Sequence, residues 1–340
     1  MIDLKPLAAA PRMLAEASLG PVQTDRFQPA GFPDLGAATY TLADGTEMLL
    51  VESVQSMANR TETACWDEGR NTLVEVLDGL PYVHVDIYSG DAAAATTASV
   101  LEAHRLNSPY VLDAQTTGGK AFKDLFLARA GYQQGQPVDR VKFLAAIFAF
   151  DPASLLHGMF MSFVEDGRMR LARAMSSFIE ARGVRVAQSG GVKNDRVNPS
   201  GDASKGFGNV PFPRTEFTAA SITAFMNLDL RQIRSYALPD EATTLLELLA
   251  LYKFRKVLVG GLRLRTACDF DVRAVKTIAP PDFALPPIEA LEAALAPVIR
   301  ACRPLFADPP VTRVRFGHTE ASARGSKKSA RAKSRGDGQS

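Results

Sequence analysis

Residues 241–272, EATTLLELLALYKFRKVLVGGLRLRTACDFDV, carry the change of periodicity that decides the fold class. Over 241–259 apolar side chains recur at helical spacing, and Lys and Arg gather in the final turns, where cations favour the negative end of the helix dipole. Gly260-Gly261 then stops the helix. Beyond it the period drops to two. Leu262 and Leu264 face one way and Arg263 and Arg265 the other, which describes a strand with an apolar core face and an arginine outer face.

Working outward, other segments show one period or the other. AATYTLADGTEMLLVES (37–53) has two β-prone runs around Asp44-Gly45, a hairpin turn signal. YVHVDIYSG (82–90) alternates Val83, Val85 and Ile87 against Tyr82, His84 and Asp86, a strand with two unlike faces. FTAASITAFMNLDL (217–230) alternates through Ile222, Ala224, Met226 and Leu228. Pro-rich breaks at 279–287 isolate a helix around IEALEAALAPVIRACRPLF, and VTRVRF reads as a last strand. Hairpins and helices without regular β-α-β alternation predict an α+β fold.

With 340 residues, 46 % of them hydrophobic, the chain can build a substantial core. Three scattered cysteines, Cys65, Cys268 and Cys302, argue for a reducing cytoplasm and against a disulfide framework or thiolate zinc site. The start MIDLKPLAAAPRMLAEASLGP lacks a basic region before a long apolar run, so no signal peptide is expected. The longest strongly apolar run, FLAAIFAF at 143–150, is too short to span a bilayer, and no membrane partner is expected. Net charge is +2, but the segment from Gly317 contributes +4 and leaves about −2 for the body. That basic, low-complexity tail (317–340) is expected to be disordered, with 1–316 as one elaborated domain. A body of this charge can hold nucleic acid only through a local basic surface.

Signals for catalysis are weak. TTGGKAF (116–122) lacks the spacing of a phosphate-binding loop, and GFGNVPF lacks the third glycine of a dinucleotide fingerprint. The four histidines form no paired metal motif, and no G-x-S-x-G elbow is present. No cofactor, metal or catalytic residue is expected.

Two segments stay polar where a core-forming sequence would not. TDRFQPAGFPDLG (24–36) precedes the hairpin, and VESVQSMANR (51–60) follows it. As a helix, the latter groups Ser53, Ser56 and Arg60, or Glu52, Gln55 and Asn59. Such donors at a helix start suit phosphate and sugar contacts, and an amphipathic helix with a solvated face reads the same way. The second segment is GGVKNDRVNPSGDASKGFGNVPFPRTE (190–216). Lys193, Arg196, Lys205 and Arg214 offer phosphate partners, while Phe207, Phe212 and Phe217 offer flat surfaces for unpaired bases. A mobile linker explains the glycines but leaves the phenylalanines unexplained.

RFQPAGFPDLGAATY, LLVESVQSMANR, FDPASLLHG, SGGVKNDRVNPSG, GFGNVPFPRTEFTA and GLRLRTACDFD resemble, in order over roughly residues 20–275, blocks of one CRISPR-associated RAMP family. This is the backbone subunit of the type I-G (formerly I-U) surveillance complex. The resemblance implies an RRM-like (ferredoxin-like) palm with insertions forming fingers and a thumb, the thumb or palm insertion falling at about 190–216. It implies copies packed along a CRISPR guide RNA, other surveillance-complex subunits, target DNA reached by guide pairing, and a separate helicase-nuclease that cuts. By position it carries over Arg26, Gln28, Ser53, Gln55, Asn59 and Arg60 as RNA contacts, with Lys193, Asn194, Arg196, Phe207, Asn209 and Arg214 in the insertion. The outward Arg263 and Arg265 fit a sheet face that holds a phosphate backbone. Related subunits cut RNA with an aspartate, so Asp34 and Asp195 keep a metal-dependent endoribonuclease as the alternative, against the plainer role of turn residues.

Overall fold

The computed structural model describes residues 2–32, 35–90, 92–133, 135–164 and 169–317. Asp34 and the tail beyond Gly317 therefore lie outside the described residues. Strands β1 (Met13–Pro21), β2 (Thr39–Thr41) and β3 (Glu47–Glu52) lead into helix α1 (Val54–Thr63). Strands β4 (Tyr82–Ser89), β5 (Ala92–Ala98) and β6 (Gln115–Thr116) precede helices α2 (Arg140–Phe150) and α3 (Ala153–His157). A short hairpin, β7 (Met159–Met161) and β8 (Met169–Leu171), comes before β9 (Met175–Arg182), β10 (Arg185–Lys193), β11 (Val210–Thr218) and β12 (Ser221–Leu228). Then come α4 (Asp240–Val259), β13 (Leu262–Arg265), β14 (Cys268–Ala279), α5 (Ile288–Cys302) and β15 (Val311–Gly317). The fold is α+β.

Among the described residues the larger sheet has seven strands in the order β13-β14-β1-β12-β9-β3-β2, with antiparallel neighbours throughout. Its inner face is built by strict alternation. Met13, Ala15, Ala17 and Leu19 of β1 are buried, as are Ile222, Ala224, Met226 and Leu228 of β12. The register sets Ala17 and Ile179 on either side of Ala224. On the opposite, half-exposed face Phe178 stacks on Phe225 at 5.0 Å between ring centres. The β2–β3 hairpin turns where the sequence predicts: Gly45 takes φ +81°, and Asp44 Oδ1 accepts from Thr46 N at 2.9 Å.

A smaller sheet runs β6-β15-β4-β5, with β15 parallel to β4. Gly317 pairs with Tyr88, so it is the end of a strand and not the start of the tail. Strand β4 also departs from two unlike faces. Tyr82, Val83, His84 and Val85 are all buried, because neighbouring strands and covering chain remove both faces of its first half from water. Burial, with Arg313 nearby, pushes the His84 imidazole below its usual range.

Helix α4 ends as read, with Gly261 at φ +79°. It is not a surface helix, however. It is wedged against α1, α3 and α5, and its buried residues run from Ala242 to Leu258, Glu247 and Lys253 included. Lys253 Nζ meets Glu62 of α1, whose Oε1 accepts from Arg105 Nη1 at 2.7 Å. These three side chains are almost wholly removed from water. Among the described residues no helix is long and apolar enough to cross a membrane.

Candidate nucleic-acid interface

The segment 24–28 is anchored by its middle. Phe27 exchanges backbone hydrogen bonds with Phe217 of β11 (2.9 and 2.8 Å), is buried, and meets the Phe270 ring edge-on at 5.4 Å. Gln28 N donates to Ala267 O at 2.7 Å. With Phe27 inside, Arg26 and Gln28 stand on the other side of the strip. Arg26 Nη1 lies 3.3 Å from Glu216 Oε2, and Arg214 Nε donates to Gln28 Oε1 at 3.0 Å.

Helix α1 starts at Ser53, whose Oγ accepts from Ser56 N at 3.2 Å. That oxygen is therefore used in capping. Gln55 Nε2 donates to Asn59 Oδ1 at 3.0 Å, and Gln55 Oε1 accepts from Arg173. The organising group is Glu52, buried at the end of β3. Its carboxylate takes Arg60 Nη2 at 3.1 Å, Arg265 Nη2 and Ser56 Oγ. Arg60 Nη2 also reaches Leu264 O at 2.6 Å. One buried charge thus ties α1 to the edge strand β13 and holds two predicted RNA-contact arginines at the surface, each about a quarter exposed.

Two clefts open along this seam. One, of about 460 Å³, lies between Asn59 and Arg60 of α1 and the segment from Lys256 to Leu264. The other, of about 420 Å³, is lined by Arg26, Glu216, Arg263, Arg265 and the turn at Thr266–Ala267. They share Arg263, which is exposed, so Lys256, Asn59, Arg60, Arg263, Arg265 and Arg26 lie along one continuous groove; Glu216 and Asp269 also line it, and Lys256 pairs with Glu292 at 3.5 Å. Cations along an open cleft suit a polyanion held by its phosphates. Lys256 was not among the residues the sequence singled out, although its place one turn before Gly260-Gly261 was the available signal.

The remaining candidates sit elsewhere. The stretch expected as a polar insertion is a two-stranded ribbon, β10 with β11, around a loop of residues 194–209. Phe217 is buried at its base and presents no face to a base, which corrects the expectation for that ring. Phe212 is half-buried and covers Gly191: a Cβ there would come within 2.9 Å of the Phe212 ring. Phe207 is 51 % exposed, and Lys193, Asn194, Arg196 and Asn209 are exposed around it. From the Ser189–Arg214 pair to the Lys193–Val210 pair is four residues, so this tip projects roughly 14 Å past Arg214.

Asp195 holds the tip together. Its carboxylate accepts from Val197 N (2.9 Å), Asn198 N (3.0 Å) and Gly208 N (2.8 Å), and its own N–H donates to Asn209 Oδ1 at 2.8 Å. Backbone amides, Asn198 first, hold its carboxyl below the usual range. A depressed carboxyl orders the loop above the ordinary carboxylate pKa of about 3.9, and that order is lost as pH falls through the lower folded value. Asp195→Ala should therefore speed amide exchange at Gly208 at least tenfold at pH 7, while wild type shows that loosening only below about pH 4. Unchanged Gly208 protection in the variant would contradict this assignment. Among the described residues no group of three His, Cys, Asp or Glu is placed to hold a metal.

The model of the family described as CRISPR-associated protein GSU0053 matches residues 13–186, half of the chain. The chain belongs to that family. The match takes in β1 through the start of β10, including α1 and the Glu52 anchor, and stops before the ribbon tip. No curated protein matches the chain. Among solved structures, a chain of a CRISPR RNA-guided surveillance complex in a pre-nicking state is 12 % identical, with a TM-score of 0.41 and 86 % of each chain covered. A chain of another CRISPR RNA-guided surveillance complex is 15 % identical, with a TM-score of 0.37, covering 86 % of this chain and 80 % of that one. Csc2 of Thermofilum pendens is 9 % identical, with a TM-score of 0.30, covering 92 % and 81 %.

Proposed function

We propose that the chain is the guide-RNA-binding backbone subunit of a type I-G CRISPR surveillance complex. Its copies polymerise along the guide and present it for pairing with target DNA, beside other subunits and a helicase-nuclease that cuts. The observation that carries this reading is the continuous groove from Lys256 through Arg263 to Arg26, on a body whose net charge is about −2. Phosphate contacts of this kind position a strand without reading its sequence, and base pairing by the guide supplies specificity. Membership of a CRISPR-associated family gives the polyanion its class.

The palm reading is supported by connectivity. Strands β14-β1-β12-β9 form an antiparallel order in which β1, β9, β12 and β14 are first to fourth along the chain, with α1 after β1 and α4 after β12. The ribbon interrupts the β9–β12 hairpin and would be the thumb, and the chain between α1 and β9 the fingers. The chain itself is not an enzyme on this reading, and the Asp195 carboxylate is spent on backbone amides.

The test is a binding titration of the full chain with two guides of unrelated spacer sequence at several salt concentrations. Both guides should bind alike, and Arg263→Ala should lower the slope of log affinity against log salt by about 0.7, the value of one single-strand phosphate. The assembled protein with magnesium or manganese should leave RNA and DNA targets intact. Regular cuts by wild type, lost in Asp34→Ala or Asp195→Ala, would replace this reading with an endoribonuclease. No affinity for either guide would sink it outright.

A further inference from the structure

An apolar groove of about 690 Å³ runs along the helix pair α4 and α5. Ile2 and Leu4 line it from the N-terminal segment, Leu248 from α4, and Ala294, Pro297 and Val298 from α5. It shares no lining residue with the two clefts that meet at Arg263.

Its origin lies in the sequence of α5, IEALEAALAPVIRAC. Leu291, Leu295, Ile299 and Cys302 recur at helical spacing and are buried, as an amphipathic helix requires. The opposite side should then be polar. Instead Ala293, Pro297 and Ala301 stand there exposed, and the charged residues of the helix are Glu289, Glu292 and Arg300 alone. A helix that is apolar on both sides belongs in an interior, and here one side meets solvent.

The polar groups that border the groove call for a donor. Pro297 has no N–H, so α5 cannot give Ala293 O its usual partner four residues on, and Ala293 lies exposed at the groove. Glu241 marks one end. Its backbone oxygen accepts from Cys302 Sγ at 3.2 Å, which sets it beside the last turn of α5. Its exposed carboxylate pairs with no cation among the described residues.

These features fix the chemistry of an occupant. The α5 wall from Ala290 to Ala301 is roughly 16 Å long, about three helical turns. An extended segment would lay a row of unpaired N–H and C=O groups on an apolar floor, whereas a helix satisfies its own. The apolar lining and Glu241 both disfavour a polyanion. Residues 318–340 contain no Val, Leu, Ile, Met or aromatic residue with which this chain's own tail could fill the groove. We propose that the groove docks an amphipathic helix of a different protein chain, its apolar stripe against Leu248 and Val298 and a Lys or Arg at the end that meets Glu241. This contact is separate from the guide-RNA reading, because the groove lies apart from Arg26, Arg60 and Arg263.

The experiment is a fluorescence anisotropy titration of the full chain with labelled synthetic helices, stapled to hold their turns. The first carries a leucine stripe at i, i+3, i+4 and i+7 with arginine at both ends. A second has glutamate in place of the arginines, and a third scrambles the stripe. The arginine helix should bind saturably, and the other two at least about tenfold more weakly. Ala293→Trp, which fills the groove from its exposed lip, should weaken the arginine helix at least about tenfold. Glu241→Lys should do the same and shift the preference toward the glutamate helix. Guide affinity of both variants should match wild type. The comparison among the three helices on wild type stands whether or not a variant folds. Equal binding of all three, no saturable binding by any, or an arginine helix indifferent to a folded Ala293→Trp would overturn the proposal. Self-association of the chain that Ala293→Trp abolishes would also overturn it, since a second copy would then cover the groove.

Discussion

Glu62→Ala should cost the fold about 3–5 kcal/mol, the usual penalty for leaving buried charges without their partner. Glu62 faces Arg105 and Lys253, and all three are sealed from water. Removing the carboxylate strands two cations in the interior. Asp151, also buried, offers little relief, because burial pushes its carboxyl up. At roughly 1.4 °C per kcal/mol for a chain of this size, the melting temperature should fall by about 4–7 °C. Replacing all three residues with methionine should recover most of the loss, since a buried ion cluster is seldom more stabilising than apolar packing of similar volume. A loss below about 1 kcal/mol for Glu62→Ala would mean that water reaches the cluster. Because α1 carries Glu62 together with Asn59 and Arg60, this cluster, with Glu52, bears on the groove as well as on the fold.

The largest expected effect on binding comes from reversing charge at the two arginines of the groove that do not pair with Glu52. Arg26→Glu with Arg263→Glu should lower guide affinity at least 100-fold at moderate salt, a change of about 2.8 kcal/mol. The salt slope should fall by at least about 1.4, for two lost phosphates. Arg26 is half exposed, but its partner Glu216 is buried and keeps only Arg214, 4.0 Å away, so the variant should lose stability by on the order of 1 kcal/mol or more and still fold. Arg60 and Arg265 would serve poorly in the same experiment, because both neutralise buried Glu52 and their loss would mix binding with unfolding. Titration and thermal melting of the same preparation separate the two. Wild-type affinity in the double variant would remove the groove from the proposed function, and a large drop in melting temperature would show that the arginines hold the fold.

Several elements were legible because their causes are local. Asp44-Gly45 makes its turn with its own neighbours, α4 runs from Asp240 to a stop at Gly260-Gly261, and Leu262 to Arg265 alternate by backbone geometry alone. Arg26, Asn59, Arg60, Arg263 and Arg265 were each found as polar residues in a pattern, and the structure collects them. Other readings failed where the deciding contact was distant. Phe217 looked available in a polar stretch, yet its partner is Phe27, far away in the chain. Lys253 looked like a cation for a helix end, yet it closes on Glu62.

What the sequence determined by itself is therefore α1, α4 and α5, the Asp44-Gly45 turn and most of the strand faces, since those follow from interactions within a few residues. The tertiary structure decided which charges are spent and which are free. Glu52 and Glu62 recruit their cations across the fold, and the ribbon folds back through Phe27 and Phe217. Pairing of this kind depends on distance in space, and nothing in local periodicity encodes it.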